Sequence, residues 1–200
     1  MLKAIIFDFD GVIADTFQMC LNIHRDNKRN ITTKLYRDFH NGNVYESKVL
    51  KFTEKETKNF WKCYCDNVSS KHLFPVKEQI SQLAKKQKIF IISSTTECVI
   101  ADFLSSTGMK KYFQKIMGVE THKSKVEKFK MIFKEYRLEP KECIFVTDTL
   151  GDLREAKKVG VPTIAVTWGY HGKTRLKKGS PNLMIHDFKE LVPAIDKLKN

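Results

Sequence analysis

The chain has 200 residues, 42% of them hydrophobic, with 36 Lys and Arg against 23 Asp and Glu for a formal net charge of +13. That length allows one domain, or one domain with an insertion, and the composition is that of a soluble globular protein. No apolar run approaches the roughly 20 residues of a membrane span, and Met1-Leu2-Lys3 passing straight into an apolar stretch leaves no room for a signal peptide, so a cytoplasmic protein is expected.

The first predicted element is Ala4-Ile5-Ile6-Phe7, an apolar run that reads as a strand buried on both faces, followed by Asp8-Phe9-Asp10-Gly11. Period-2 alternation points the Asp8 and Asp10 side chains the same way, and Gly11 permits a sharp turn directly after them. Two anions so close repel unless a cation lies between them, and hard carboxylate oxygens suit Mg²⁺. Asp-x-Asp before Gly is also common in ordinary turns, so the pair needs support from elsewhere in the chain.

Residues 16–74 are polar, aromatic-rich and helical in pattern, and read as a small helical insertion between core segments 1–15 and 75–200. Helices are predicted over 17–27 after Thr16, over 32–39, and over 44–51 after the turn His40-Asn41-Gly42-Asn43. Thr53 and Glu56 have capping-box spacing for a further helix through Phe60, Trp61 and Tyr64, three rings expected to form the core of the insertion.

Strands and helices alternate from Pro75 onward. Val76, Ile80, Leu83 and Ala84 recur at helical spacing, and residues 89–92 form a second buried strand ending in Ser93-Ser94-Thr95-Thr96. A helix over Glu97–Ser106, a short strand over 113–118, and a helix from a Ser124/Glu127 capping box follow. A strand over 143–146 stops at Thr147-Asp148, a helix over 153–159 ends at Gly160, and a strand over 163–167 follows. A last strand, Leu183–Ile185, precedes a helix over 188–198 in which Pro193 must occupy the first turn or bend the helix. This alternation predicts an α/β fold with a parallel sheet and right-handed crossovers, whose ligands sit at the C-terminal strand ends.

Those ends carry Asp8 and Asp10, Ser93 and Ser94, Lys123 or Lys125, and Asp148 with Asp152. In order and type the set resembles the four motifs of the haloacid dehalogenase (HAD) superfamily, in its phosphatase branch with a helical cap after the first motif, similar to phosphoglycolate phosphatases. The resemblance implies a three-layer Rossmann-like core and a Mg²⁺ site built on Asp8, Asp10, Asp148 and Asp152. Asp10 would contribute its main-chain carbonyl to that site, and Asp152 would ligate through water or orient the lysine. It further implies Asp8 as nucleophile, Asp10 as general acid and base, Ser93 as a hydroxyl that donates to a phosphoryl oxygen, and a lysine that neutralises charge. Lys123 has the spacing of relatives with Lys-Pro-x-Pro and Lys125 that of relatives with lysine at the first helical position; neither Pro is present, and the spacing leans to Lys125. Thr147 stands where relatives more often have Gly. Gly11, Ser94 and Asn43 are further substrate-binding candidates, and Arg25, His40 and Tyr45 are candidate cap contacts.

Five scattered cysteines without a CxxC pair point to reduced, structural thiols. The basic excess favours an anionic partner, yet its lysines are spread along the chain and no nucleic-acid-binding motif accompanies them. The expected partner is a small phosphorylated metabolite, with no nucleic acid and no membrane, and the protein a monomer or homodimer. The expected function is Mg²⁺-dependent phosphomonoester hydrolysis. A phosphomutase would use the same Asp pair, and a non-catalytic anion- or nucleic-acid-binding module on this fold is the alternative of another class. Asp10 argues against dehalogenation. Phosphonate hydrolysis would need a Schiff-base lysine in the cap, and no motif singles out Lys28, Lys34 or Lys48.

Overall fold

The computed structural model describes residues 1–26 and 30–199; Asn27 and Lys28 lie outside the described residues. The chain runs through β1 (Ala4–Phe7), α1 (Phe17–Asp26), α2 (Thr33–Phe39), α3 (Glu54–Asn67), α4 (Lys77–Leu83), β2 (Lys88–Ile92), α5 (Glu97–Ser106) and β3 (Lys115–Met117). It continues through α6 (Lys125–Tyr136), β4 (Cys143–Thr147), α7 (Leu150–Val159), β5 (Thr163–Val166), α8 (Lys173–Leu176), β6 (Leu183–Ile185) and α9 (Leu191–Leu198).

The strands form a six-stranded sheet in the order β3-β2-β1-β4-β5-β6, with every pairing parallel. β1 lies between β2 and β4, with Ile5 opposite both Ile89 and Ile144, so the first carboxylate motif leaves the middle of the sheet. Alternation divides the strand residues between two cores. Ile5, Phe7, Ile89, Ile91, Ile144 and Val146 face Ile80, Ile100, Phe103 and Ile195 of α4, α5 and α9. Ala4, Ile6, Phe90, Ile92 and Phe145 face Phe129, Ile132 and Ala156 of α6 and α7. Each large apolar side chain so buried contributes about 1.5–3 kcal/mol relative to exposure, which is why these strands are apolar on both faces.

α1, α2 and α3 close around a third cluster containing Cys20, Leu21, Ile23, Tyr36, Leu50 and Tyr64, to which Val99 and Tyr170 are added from the sheet side. The capping box at the start of α3 is present: Glu56 N–H donates to Thr53 Oγ1 at 3.2 Å, and Thr53 N–H to Glu56 Oε2 at 2.8 Å. Among the described residues no helix is long and apolar enough to cross a membrane.

Three predicted elements differ. The helix expected over 44–51 is only a 3₁₀ turn, Val44–Glu46, because Asn43 caps Tyr45 N–H at 2.9 Å and the chain is already extended at Ser47. The Ser124/Glu127 capping box does not form; Glu155 from α7 instead accepts from Ser124 Oγ at 3.3 Å and from Lys125 N–H at 3.0 Å. The terminal helix begins as a separate 3₁₀ turn, Phe188–Glu190, and Pro193 lies in the first turn of α9, where its missing N–H costs nothing.

Candidate active site

The C-terminal ends of β1 and β4 bring their carboxylates together. Asp8 N–H continues the β1 ladder to Val146 O at 3.0 Å, and Gly11 then takes φ +75°. A Cβ on Gly11 would lie 1.9 Å from Asp148 Oδ2, and one on Gly169 would lie 2.2 Å from the same atom. Both glycines therefore serve close approach to Asp148, and Gly11 serves the turn as well. Asp148 Oδ2 accepts Tyr170 N–H at 2.6 Å, whereas Oδ1 is buried with no hydrogen-bond partner among the described residues. Burial pushes the Asp148 carboxyl up to about 8.

Lys125, at the start of α6, is the ammonium that meets these acids. Its Nζ lies 2.8 Å from Asp8 Oδ2 and 2.6 Å from Asp152 Oδ2, and Thr147 Oγ1 donates to that same Asp152 oxygen at 2.6 Å. Burial opposes the lysine's charge, but Asp152 and Asp8 outweigh it and hold the ammonium above its usual range. Asp152 is likewise held low by Lys125 against the effect of burial. Asp8 goes the other way: burial, with Asp152 and Asp148 adding to it, pushes its carboxyl well up against the pull of Lys125. Lys125 thus belongs chiefly to Asp152, and Asp8 and Asp148 remain short of positive charge. Lys128, one turn on and fully buried, donates from Nζ to the Ser93 carbonyl, and burial lowers it to about 8.

Asp10 sits in a different environment. Its Oδ1 accepts from Thr16 Oγ1 and from Tyr64 Oη, each at 2.6 Å, and its Oδ2 from Thr95 Oγ1 at 2.5 Å. Tyr64 comes from α3; burial and the Asp10 charge raise its hydroxyl well above the usual range, so it stays a donor. Thr16 stands near Asp10 in the chain but was read only as the start of a helix, and nothing in the local spacing marked Tyr64 or Thr95, which are 54 and 85 residues away.

A cleft of about 760 Å³ opens above these groups, lined among others by Asp8, Asp10, Ser93, Ser94, Lys123, Lys125 and Asp152 from the strand ends. His40, Asn43 and Tyr45 line it from the helical side. Tyr45 Oη donates to Ser94 O at 2.8 Å, and Asn43 Nδ2 donates to Lys123 O at 3.2 Å. The structure brings Lys125, not Lys123, to Asp8; Lys123 Nζ instead lies 5.6 Å over the Tyr45 ring. Arg25 is not in the cleft, because its Nε is engaged by Ile31 O at 3.0 Å. Phe60 and Trp61 pack against the helical core as read, and being only half-buried they also line the cleft, while Tyr64 is a buried member of that core and reaches Asp10.

The family model described as haloacid dehalogenase-like hydrolase matches residues 5–166. The chain belongs to the HAD-like hydrolase family. It is 26% identical over 149 residues to phosphoglycolate phosphatase 1 of Pseudomonas aeruginosa, covering 72% of this chain and 55% of that protein. It is 30% identical over 128 residues to phosphoglycolate phosphatase of Yersinia pestis, covering 62% of this chain and 55% of that protein. The chain thus spans about half the length of these curated relatives. Among solved structures, a haloacid dehalogenase-like family hydrolase, SP0104 from Streptococcus pneumoniae, superimposes with a TM-score of 0.82 at 19% identity, covering 97% of this chain and 98% of that one. A β-phosphoglucomutase from Clostridium difficile superimposes at 0.73 and 21% identity, covering 99% and 97%. At those identities the likeness establishes a shared fold, and with it the α/β HAD architecture read from the motifs.

In this HAD chain the helical segment is tied to the strand ends by polar contacts. Arg37 Nε donates to Tyr170 O at 2.9 Å, and Arg175 Nη1 donates to Asp38 Oδ1 at 2.6 Å and Asn41 Oδ1 at 2.9 Å. His171 joins both sides: Nδ1 accepts Leu150 N–H at 2.9 Å, which leaves the proton on Nε2 to donate to Arg37 O at 2.8 Å. This bonding requires a neutral ring, and burial lowers His171 from 6.5 to about 3. The unfolded chain therefore binds a proton that the folded one refuses, so this contribution is whole above pH 6.5 and declines as pH falls toward 3. Gln at 171 can supply an acceptor and a donor without titrating. The expected result is that the wild-type melting temperature falls more steeply between pH 7 and pH 4.5 than that of His171→Gln; parallel profiles would exclude His171 as the source.

Proposed function

We propose that the chain is a Mg²⁺-dependent phosphomonoester hydrolase of a small phosphorylated metabolite, acting through an aspartyl-phosphate on Asp8. The observation that carries this reading is the buried set Asp8, Lys125, Asp152 and Asp148 at adjacent strand ends, in which Lys125 satisfies Asp152 and leaves an Asp148 oxygen without a partner.

The donor set fits a hard divalent cation held by Asp8 and Asp148. Among the described residues no three His, Cys, Asp or Glu side chains group to hold a metal ion. The remaining ligands would therefore be the Asp10 carbonyl, substrate and water, as suits Mg²⁺. When bound, the ion supplies positive charge that neutralises the carboxylates and the transferring phosphoryl group. Asp8 attacks phosphorus, and Lys125 offsets charge beside it. Asp10, set by its three hydroxyl donors, protonates the leaving oxygen and then takes a proton from the attacking water. Ser93, which lines the cleft at the end of β2, offers its hydroxyl to a phosphoryl oxygen. Asp152 orients Lys125. Residues 16–74 act as the cap that closes over the site, with Asn43 and Tyr45 touching the strand-end loops and the core formed by 1–15 and 75–200.

Turnover of p-nitrophenyl phosphate is expected with Mg²⁺, lost on treatment with EDTA and restored by adding Mg²⁺. A panel of phosphate esters left untouched by the Mg²⁺-loaded protein would overturn the reading in favour of a binding module. Release of inorganic phosphate, as opposed to transfer to an added sugar phosphate, separates hydrolase from mutase.

A further inference from the structure

The helical side of the cleft is aromatic. Phe39, Phe52, Phe60 and Trp61 line it and are partly exposed to it, so their burial is incomplete as the chain stands. The rings are already ordered by one another: His24 stacks on Phe52 and on Phe60 with centroids 4.5 Å away and planes 18° and 12° apart, and Trp61 meets Phe60 edge-on at 5.2 Å. Such faces are complementary to another flat ring.

The same wall is poorly suited to a short carboxylic acid. A carboxylate is held best by the planar fork of an arginine, and no described arginine lines the cleft. Arg25, Arg37 and Arg154 donate to the carbonyls of Ile31, Tyr170 and Asn41, and Arg175 is paired with Asp38. The cations on the helical side of the cleft are Lys48 and Lys51, both exposed, which attract a doubly charged ester without fixing the direction of its remainder. The segment carrying Asn43 and Tyr45 is bonded across to Lys123 O and Ser94 O, so the cleft is roofed on that side and a macromolecular substrate is disfavoured.

We propose that the alcohol portion of the substrate is a planar aromatic or heteroaromatic ring of a small molecule, seated against Trp61 and Phe60. This rests on the hydrolase reading above and names its substrate class. The P–O bond to the ring-bearing alcohol breaks, that alcohol leaves with a proton, and the oxygen of water ends on the phosphate.

The test compares kcat/KM, with Mg²⁺ present, for 2-phenylethyl phosphate, n-propyl phosphate and 2-phosphoglycolate. The first two release primary alcohols of similar basicity, so their ratio reports the ring alone. A preference of about tenfold or more for 2-phenylethyl phosphate is expected, and Trp61→Ala should bring the ratio close to one while Trp61→Phe keeps most of it. Equal or better use of n-propyl phosphate or 2-phosphoglycolate by the wild type overturns the inference and leaves the hydrolase reading standing. So does a ratio that Trp61→Ala leaves unchanged in folded protein. Absence of turnover on all three esters overturns the inference, and overturns the hydrolase reading with it when p-nitrophenyl phosphate is also left untouched; the wild-type ratio decides the matter even where a variant does not fold.

Discussion

Replacing Asp8 by Asn is expected to lower turnover of p-nitrophenyl phosphate by about 10⁴-fold or more, the scale on which loss of a covalent nucleophile is felt. The amide cannot attack phosphorus, and Asp152, the other carboxylate that Lys125 Nζ meets, is already committed through Oδ2 to Lys125 at 2.6 Å and to Thr147 Oγ1 at 2.6 Å. The fold should survive. Burial raises Asp8 well above the usual carboxylate range, so at neutral pH its ionised form works against the folded state, and the variant relieves that cost. Lys125 keeps Asp152 at 2.6 Å. Thermal melts in EDTA should therefore place Asp8→Asn no lower than the wild type. Retained turnover would remove Asp8 as the nucleophile, and a collapse of the fold would show that Lys125 depends on Asp8 more than on Asp152.

The second large effect is expected at Asp10. Asp10→Asn should lower kcat by about 10²–10⁴-fold, the range for loss of a general acid and base, while leaving the affinity for Mg²⁺ nearly intact when titrated calorimetrically. The reason is the commitment of its carboxylate: Thr16, Tyr64 and Thr95 hydroxyls already occupy it, and Asn Oδ1 can still accept from the first two. Only its main-chain carbonyl is left for a cation, and the substitution does not touch that. Parallel loss of Mg²⁺ affinity and turnover would show that the carboxylate itself is a ligand. Because Tyr64 comes from α3, one of the three hydroxyls on the Asp10 carboxylate is in place only with the helical segment seated, which under the proposed mechanism would link that segment to proton transfer.

The two aspartates illustrate how far motif spacing reaches. Two residues apart, they were legible at once as a pair, but their different environments were not. Asp8 shares Lys125 with Asp152, whereas Asp10 is held by hydroxyls from three other segments. The choice between Lys123 and Lys125 was similar. Both precede or begin the same helix, and the spacing leaned to Lys125 without showing which one β4 and α7 would face. Glu155 decides it by taking the first N–H of α6 and turning Lys125 inward.

What the amino-acid sequence determined by itself was most of what local repetition and nearest neighbours along the chain set, the helix over 44–51 and the Ser124/Glu127 capping box excepted. The apolar strands followed from side chains buried on both faces of a sheet, and α3 from the reciprocal bonds of Thr53 and Glu56. The strand-end carboxylates followed from their place after those strands. Tertiary structure alone decided which partners met across long separations: Tyr64 on Asp10, Asp152 on Lys125, Glu155 in place of a capping box, Arg25 turned away from the cleft and Trp61 turned into it. Such meetings depend on how helices seat against the sheet, a packing outcome summed over many residues that no short window of sequence contains. The Asp8-Phe9-Asp10-Gly11 turn announced where the chemistry would lie, and the chain folded around it assigned each carboxylate its neighbours.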